Sequence, residues 1–377
     1  MSVLPTRLRQ FIHTSFSGAS VLLAVVYGLA CFTPYISPAR FWVMGFLSLA
    51  FPVLLVLVIV ACIIWFFVKR KVALAFLFLI VVGYKNISVL FAFNSTKAFS
   101  LQNEKGTIRI LSWNIKGFDT HEYSRDTPNS IRHQIMRYID KQNPDILCLQ
   151  DFTEYDNPAI PANISFLKDS LGYPYHFFAD DYKSYPPWGP AYSGIAVFSK
   201  YPFSRIEQVV FSGKKTPESI IVADIEIRNT KRRIIVTHLQ SMHLKPQKPE
   251  AKEPWDNEED STLIYNGNIF EKLKFYLPYH AGQSELVKRQ IDESPYPVIF
   301  SADMNEVPTS YVYHNIKGNL NDVFLHNGFG LGRTYYRISP TLRIDYLMVS
   351  DSIKITQYKK ENIFLSDHYP QVMDVVW

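Results

Sequence analysis

The pattern of apolar and polar positions divides this chain of 377 residues into two parts. The first hundred residues contain no Asp or Glu, and long apolar stretches occupy 17–36, 41–68 and 72–93. Each has about the ~20 residues that a helix needs to cross a hydrocarbon core. Their length disfavours the alternative, three buried helices of a soluble core. We therefore predict a membrane region over residues 1–100 with about three transmembrane helices. Lys85, inside the third stretch, would have to reach the interface at some cost.

From about Thr107 the pattern changes to short apolar runs bounded by Gly, Pro, Asn and Asp. Such runs predict β-strands, here at TIRILSWN, DILCLQD, SGIAVFSK, RRIIVTH, PVIFSAD, RIDYLMVS and QVMDVVW. The apolar residues of TPNSIRHQIMRYIDKQ fall on one helical face, and AGQSELVKRQI predicts a second helix. Strands joined by helices and turns predict an α/β fold of stacked layers over 107–377. The proline-rich, acidic segment from Lys245 to Asp260 predicts a solvated, mobile loop.

Charge and cysteine content narrow the function classes. The formal net charge is +5, but eight of the 39 Lys and Arg lie in the first hundred residues. The remainder has 31 basic against 34 acidic residues, a net charge near −3, and so lacks the basic surface typical of nucleic-acid-binding domains. Cys31, Cys62 and Cys148 form no pattern of a disulfide framework or a thiolate metal site.

Basic residues at the ends of the apolar stretches predict the orientation in the membrane. Arg7 and Arg9 precede the first stretch, and 69–71 is a Lys-Arg-Lys turn between the second and third. The intervening loop carries only Arg40. Because cytoplasmic loops are enriched in Lys and Arg, the N-terminus and the turn are expected in the cytoplasm. Three spans then put everything after Phe93 outside, whereas two spans would return it to the cytoplasm. We expect an integral inner- or plasma-membrane protein whose domain over 107–377 is extracytoplasmic.

Polar residues with catalytic chemistry recur where the predicted strands end or begin. Strand ends can gather side chains from distant parts of a sequence into one cleft. The residues in such positions are Asn114, Asp151, His238, Asp303, Asn305, Asp367 and His368. Each alone is most often a turn residue, a helix cap or a core side chain, but their shared position in the pattern favours a site.

The acids among these residues indicate the chemistry. Asp151, Asp303, Asp345 and Asp367 would repel one another in one cleft unless a cation or protons intervened. Oxygen ligands with two histidines and no thiolate favour Mg²⁺ or Mn²⁺ over structural zinc. A phosphate ester suits such a site, because the metal neutralises phosphoryl oxygens while a carboxylate or imidazole activates water.

Seven motifs carry a family resemblance: LSWNIKGF, DILCLQDF, YSGIAVFSK, VTHLQS, SADMNEVP, RIDYLMVS and LSDHYP. In this order they resemble the endonuclease/exonuclease/phosphatase superfamily, which includes deoxyribonuclease I, abasic-site endonucleases, neutral sphingomyelinases and inositol-phosphate 5-phosphatases. The resemblance covers about Thr107 to Trp377. It implies a four-layer α/β/β/α sandwich, the deoxyribonuclease I-like fold, with the active site at one edge of two packed sheets.

The resemblance also implies a role for each matched residue. Asn114 would help to hold the phosphate and the metal-side network, and Asp151 and Asp367 would serve the Mg²⁺ or Mn²⁺ ion. Asp303 would polarise or orient the attacking water. Asn305 would bind a phosphoryl oxygen.

Two histidines and a further acid complete the implied set. His238 would stabilise charge on the pentacovalent transition state. Asp345 would orient His368, which would contact the phosphate or shuttle a proton. Tyr192 matches a tyrosine of the abasic-endonuclease branch, although a core tyrosine fits that position equally.

The sequence departs from the family pattern at two places. Where the family has a Glu metal ligand, Gln150 is followed by the shorter Asp151, so the metal would lie closer to that strand or Glu154 would assist. Lys116 follows the SWN motif where abasic endonucleases carry an acid. Together with His238, this residue points away from the abasic-repair branch.

These observations predict a membrane-anchored, divalent-metal-dependent phosphoesterase acting on a lipid or small-molecule phosphate ester. A membrane-anchored nuclease acting on extracytoplasmic DNA or RNA is the first alternative, because a local basic groove can exist in a domain of acidic net charge. A catalytically inactive binding module on the same fold is the second. The near-complete set of site residues argues against the inactive module.

Overall fold

A computed structural model describes residues 6–95, 98–118, 127–185, 189–211, 218–242, 267–337, 339 and 341–377. The predicted loop from Lys245 to Asp260 lies outside these ranges. The described N-terminal part is helical, with α1 (Thr6–Ala30), α2 (Val43–Val68), α3 (Arg70–Val82) and α4 (Tyr84–Ile87).

Within the described residues, two helices are long and apolar enough to cross a membrane. These segments are His13–Ala30 of α1, with a mean hydropathy of 1.3, and Val43–Val68, all of α2, with a mean hydropathy of 3.1. The third predicted span differs from expectation, because α3 has only 13 residues, about 20 Å of helix. The helix is interrupted at Gly83, where a side chain would collide with the hydroxyl of Tyr27. The predicted continuous span is therefore two shorter helices.

The rest of the chain forms two six-stranded sheets, in the order β13-β14-β2-β3-β5-β4 for sheet I and β10-β12-β9-β8-β7-β6 for sheet II. A small two-stranded pair, β1 and β11, accompanies them. The strands are β1 (Ala92–Phe93), β2 (Thr107–Asn114), β3 (Ile146–Tyr155), β4 (Tyr175–Ser184), β5 (Ala191–Ser199), β6 (Phe203–Val210), β7 (Ser219–Ile227), β8 (Thr230–His238), β9 (Val298–Asp303), β10 (Asn321–Asp322), β11 (Phe329–Gly330), β12 (Asp345–Val349), β13 (Ile355–Lys360) and β14 (Gln371–Val376).

Helices cover the outer faces of the two sheets. Their bounds are α5 (Ile131–Gln142), α6 (Asn163–Ser165), α7 (Ile269–Asp292), α8 (Tyr311–Lys317) and α9 (Val323–Asn327), with a 3₁₀ turn at Lys116–Phe118 and a π-helical turn at Phe166–Ser170. Helix α5 begins where the Ser130 hydroxyl accepts from the backbone N–H of His133 at 3.3 Å, and it ends at Asn143 with a φ of 47°. Both are ordinary helix-capping devices.

Alternating side chains along β2 account for the layers. Ile108 and Ile110 join the apolar core between the two sheets, whereas Leu111 and Trp113 pack in the outer core beside α5. This period of two is what a strand buried on both faces requires. A third core lies between sheet II and helices α7 and α8. The layers are thus helix, sheet, sheet and helix, and the predicted α/β/β/α sandwich is confirmed.

The N-terminal helices contact the sandwich directly. The hydroxyl of Thr33, just after α1, donates to the carbonyl oxygen of Thr309 at 2.8 Å. The hydroxyl of Thr309 donates to the carbonyl oxygen of Ser48 in α2 at 2.7 Å. Arg343 donates to the carbonyl oxygen of Val89 at 2.9 Å. The end of α1 and the start of α2 therefore lie against the sandwich.

Candidate active site

Strand register aligns three predicted site residues at one edge of sheet II. Strand β8 runs parallel to β9, with His238 opposite Asp303. Strand β12 runs antiparallel to β9, with Asp345 also opposite Asp303. Because paired residues in neighbouring strands present their side chains to the same face, the imidazole and the two carboxylates meet.

Sheet I brings a second set of residues to the same edge. Asn114 at the end of β2 lies opposite Gln150 in the parallel strand β3. Its side-chain amide donates across the interface to Asp303 Oδ2 at 3.0 Å. The register of β3 shifts after Leu149, and Asp151 in this bulge has a φ of 49°. A bulge re-aims side chains, which explains why Gln150 points into the interior while Asp151 opens to the site.

His368 is held from several directions. Its Nδ1 lies 3.0 and 2.9 Å from the two carboxylate oxygens of Asp345, and its carbonyl oxygen accepts from Trp113 Nε1 at 2.9 Å. Burial favours the neutral imidazole, but Asp345, Asp303 and Asp367 outweigh it and raise the pKa of His368 to about 10. A protonated His368 can therefore donate to a phosphoryl oxygen.

Asp303 is the centre of the cluster and is almost completely buried. Its Oδ1 accepts from the backbone N–H of Asn305 at 2.9 Å. Burial first, and then repulsion from Asp345, raise the pKa of Asp303 to about 6. A carboxylate with a pKa raised toward neutrality is a better general base than an exposed aspartate.

His238 lies between two acids. Its Nδ1 is 3.4 Å from Asp151 Oδ1, and its Nε2 is 3.7 Å from Asp303 Oδ2. Burial opposes protonation, but these carboxylates and that of Glu218 raise the pKa of His238 to about 9. The amide of Asn305 lies 3.2 Å from His238 Nε2 and donates to the carbonyl oxygen of Leu239 at 2.9 Å. This loop thus holds Asn305 beside the imidazole.

The donor atoms suit a hard divalent cation. Asp151 keeps a third of its side chain exposed toward the site, and Asp367 Oδ1 lies 4.0 Å from His368 Nε2. In the described part of the chain, Asp303, Asp345 and His368 also place ligand-type atoms within 4.8 Å of one another. Nδ1 of His368 is already bonded to Asp345, so we assign that group to acid–base chemistry. Asp151, Asp367 and Asn114, the metal ligands predicted from the sequence, carry the oxygen atoms that Mg²⁺ and Mn²⁺ prefer.

Comparison with known proteins decides the family. Residues 111–368 match the Endonuclease/Exonuclease/phosphatase family. The chain belongs to this family. The match covers more than half of the chain and includes every predicted site residue. Residues 13–90 match a separate family described as a Domain of unknown function (DUF8431).

Individual relatives of this endonuclease/exonuclease/phosphatase protein are more distant. A curated DNA-(apurinic or apyrimidinic site) endonuclease from Dictyostelium discoideum is 26% identical over 287 residues, covering 71% of this chain and 70% of that protein. The human Nocturnin catalytic domain with bound sulfate anion is 20% identical with a TM-score of 0.50, over 72% of this chain and 93% of the other. Humanized D. rerio TDP2 is 17% identical with a TM-score of 0.48, over 72% and 99%. The Nocturnin likeness shows the fold alone.

Three residues singled out as departures or alternatives have clear surroundings in this family member. The carboxylate of Glu154 accepts from the backbone N–H groups of Asn163 and Ile164 at 3.1 and 2.6 Å. The Glu154 carboxylate therefore caps the start of helix α6. This contact argues against Glu154 as a metal ligand. The ammonium group of Lys183 lies 4.8 Å from the centroid of the Tyr192 ring. Exposed Lys116 donates its backbone N–H to Asn114 Oδ1 at 3.0 Å and adds positive charge at the rim.

A buried acidic pair behind His238 is absent from the sequence-based site. Ser219 donates to Asp181 at 2.5 Å, and Gln283 lies 3.4 Å from Glu218. Burial raises the pKa of Asp181 to about 7 and that of Glu218 to about 8. Asp181 lies inside β4, and Glu218 lies directly before β7. Neither strand is among those predicted from the sequence, so the strand-end pattern gave no signal for these acids. Both acids interact electrostatically with His238.

Cations and aromatic rings form a patch beside the terminal histidine. This basic-aromatic patch comprises Arg333, Arg337, Lys360, Tyr336 and Tyr369. The rings of Tyr336 and Tyr369 are stacked 5.4 Å apart, with Arg337 5.2 Å from the first ring and Lys360 4.8 Å from the second. Burial and then repulsion from Arg333 lower the pKa of Lys360 to about 8. Neighbouring cations of this kind favour an anionic ligand.

Proposed function

We propose that this protein is a membrane-anchored, divalent-metal-dependent phosphoesterase that hydrolyses a phosphate ester by attack of water. The observation that carries the proposal is the in-register alignment of His238, Asp303 and Asp345. Asn114 joins them from the other sheet through its hydrogen bond to Asp303. An assembly of carboxylates and imidazoles at one cleft supplies acid–base groups for phosphoryl transfer.

The chain's own residues divide the work as follows. Asp303 accepts a proton from the attacking water, aided by its raised pKa. His368, fixed by Asp345, donates to a phosphoryl or leaving-group oxygen. Protonated His238 and the Asn305 amide stabilise negative charge on the equatorial oxygens.

Asp151, Asp367 and Asn114 would hold the metal ion. Mg²⁺ or Mn²⁺ bound there would neutralise charge on the phosphoryl group. Asp151 is one methylene shorter than the Glu of the family motif, but its position in the bulge of β3 and its exposure bring its carboxylate to the cleft.

Three features support membrane anchoring with the domain outside. Only 17% and 22% of the candidate segments of α1 and α2 are buried, whereas core helices of soluble proteins are mostly buried. Ser48 contacts the domain, and the 69–71 turn lies about 30 Å farther along α2, roughly the thickness of a hydrocarbon core. The basic turn and the domain thus lie at opposite ends of the helices. Helices α3 and α4 lead the chain from this turn back to the domain, so they take the place of the third predicted span. The positive-inside rule therefore favours an extracytoplasmic domain.

The second candidate is a nuclease on the same anchor. The curated relative named as an abasic-site endonuclease favours it, and the basic-aromatic patch provides rings and cations that suit nucleic acid. The net charge near −3 outside the first hundred residues weighs against a polynucleotide substrate.

Hydrolysis of phosphate esters by the full chain in detergent, followed through the products formed, tests the proposal. The purified protein is assayed with phospholipids, nucleotides and plasmid DNA, each with Mg²⁺, with Mn²⁺ and with EDTA. Metal-dependent hydrolysis of a lipid or small-molecule ester is expected, and cleavage of plasmid DNA alone would favour the nuclease. A protein that binds these ligands without turnover in any metal would indicate an inactive binding module.

A further inference from the structure

A cavity of about 230 Å³ lies between helix α2, the loop that follows β9 and the loop that precedes β12. Ser48, Leu49 and Pro52 of α2 line one side. Val307, Pro308 and Thr309 line another, and this segment begins two residues after Asn305 of the site. Leu90, Leu331, Ser339, Thr341 and Leu342 complete the wall. We call this space the tail cavity.

The interior of the tail cavity is apolar in character. Its hydroxyl groups are satisfied by protein partners, because Ser48 donates to the carbonyl oxygen of Gly45 at 2.6 Å and Thr309 donates to that of Ser48. Ser339 and Thr341 bond to each other at 2.9 Å. Apolar cavities of about 150 Å³ remain dry and take up benzene or xenon. A cavity of this size and lining therefore favours hydrocarbon over water.

Residues in the walls of the tail cavity contact segments that position the active-site residues. The carbonyl oxygen of Leu342 accepts from the backbone N–H groups of Thr334 and Tyr335. The ring of Tyr335 lies 4.8 Å from that of His368, and the Thr334 hydroxyl accepts from the N–H of Asp345 at 3.0 Å. On the other side, Val307 is two residues from Asn305. A molecule in the cavity is thus one layer of chain away from the catalytic groups.

The position of the tail cavity indicates where its ligand comes from. It lies at the end of α2 that meets the domain, and the next outward-facing residues, Val53 and Val56, are 64% and 58% exposed. If α2 spans a bilayer, these side chains face lipid in the leaflet beside the domain. Hydrocarbon chains are therefore the ligand nearest to the cavity, and the phosphate of such a lipid lies at the level of the domain.

We propose that the tail cavity receives a hydrocarbon chain of a membrane lipid phosphate ester whose phosphate enters the active site. This inference rests on the phosphoesterase function proposed above and specifies its substrate class. The pocket is too small for a whole lipid, so it holds one segment of a chain while the remainder stays in the bilayer. Each buried methylene favours binding about fourfold.

Two p-nitrophenyl phosphodiesters, one with an ethyl and one with a dodecyl group, test the proposal with the full chain in detergent and Mg²⁺. We expect KM to be at least about 10-fold lower for the dodecyl ester, because two or more methylenes enter the cavity. Leu331→Trp and Leu90→Phe, which fill the cavity, should remove most of this preference. Leu101→Trp is the matched control, since Leu101 is exposed and does not line the cavity; it should keep the preference.

Photolabelling separates this inference from the proposed function. Dodecyl phosphate with a diazirine at the chain end is irradiated with the full chain in EDTA, so that no turnover is needed. Label at Val307 or Leu342 that is lost in Leu331→Trp is expected. Two results would overturn the proposal that the tail cavity binds a hydrocarbon chain. One is label confined to outward residues such as Val56, and the other is an unchanged ester preference in both filled variants. Hydrolysis of neither ester, with label in the cavity, would instead contradict the phosphoesterase function.

Discussion

Thr309 donates its hydroxyl to the carbonyl oxygen of Ser48 at 2.7 Å, and Pro52 explains why this oxygen is available. Pro52 lies inside α2, four residues after Ser48, and proline has no N–H to offer the carbonyl four residues earlier. The catalytic domain therefore supplies the hydrogen bond that the helix lacks. Both Ser48 and Thr309 are buried, so this bond couples the apolar helix to the loop that carries Asn305.

Thr309→Val should lower the free energy of unfolding by about 1–3 kcal/mol, because it leaves the buried Ser48 carbonyl without a partner. In a Pro52→Ala background the same change should lower the free energy of unfolding by less, since the backbone N–H of residue 52 can then donate to the Ser48 carbonyl oxygen. Thermal unfolding of the four proteins in detergent completes this double-mutant cycle. An equal loss of stability in both backgrounds would mean that Pro52 does not free the carbonyl.

His368→Ala and Asp303→Asn should each lower kcat by at least ~10²-fold, the scale for loss of an acid–base or positioning group. The first variant lacks the proton donor that Asp345 orients. The second lacks the carboxylate that accepts a proton from water. Initial rates with the substrate found active give kcat, and circular dichroism checks that each variant is folded. Near-normal turnover in either folded variant would rule out the assigned mechanism.

Asp151→Ala should raise the Mg²⁺ concentration needed for half-maximal activity by at least about tenfold, whereas Asp151→Glu should preserve or lower it. The longer Glu restores the carboxylate reach of the family motif. Glu154→Gln is the matched control, because its carboxylate begins helix α6 rather than facing the metal. Metal titrations of the three variants decide the ligand. Unchanged Mg²⁺ dependence in Asp151→Ala would remove Asp151 from the metal site.

The pH dependence should report on Lys360, whose pKa is lowered to about 8 by burial and by Arg333. Below pH 8 its ammonium group is charged and attracts an anionic ester; above pH 8 the charge is lost and kcat/KM should fall. Lys360→Arg keeps its charge throughout, so its profile should lack this decline. Lys360→Met should lose about tenfold in kcat/KM at pH 7. Identical profiles for the parent and Lys360→Arg would show that Lys360 does not contact the substrate.

The orientation of the domain can be read with reporters fused after Trp377 of the full chain. Alkaline phosphatase, which is active only outside, should be active there. A fluorescent protein that matures only inside should remain dark. Replacing Lys69, Arg70 and Lys71 with Gln should weaken this preference, since the turn is the main basic determinant. A fluorescent, phosphatase-negative result with the parent chain would place the domain in the cytoplasm.

Sequence alone determined much of the fold and of the candidate site. The apolar run TIRILSWN predicted β2 from Thr107 to Asn114 with the bounds observed, because short apolar runs bounded by turn residues are typical of strands. The residues after apolar strands led to His238 and Asp303, since strand ends at one sheet edge share a location. These are local patterns, and each is written in consecutive residues.

Only the tertiary structure decided the features that depend on partners distant in sequence. Tyr27 lies against Gly83, where α3 ends, and hydropathy alone could not locate this end inside the third predicted span. Asp181 and Glu218 join the site through packing around His238 rather than through a strand end. The bond between Ser48 and Thr309 joins positions 261 residues apart. Periodicity records which face of an element is buried, but the identity of what lies against that face is set when the elements pack.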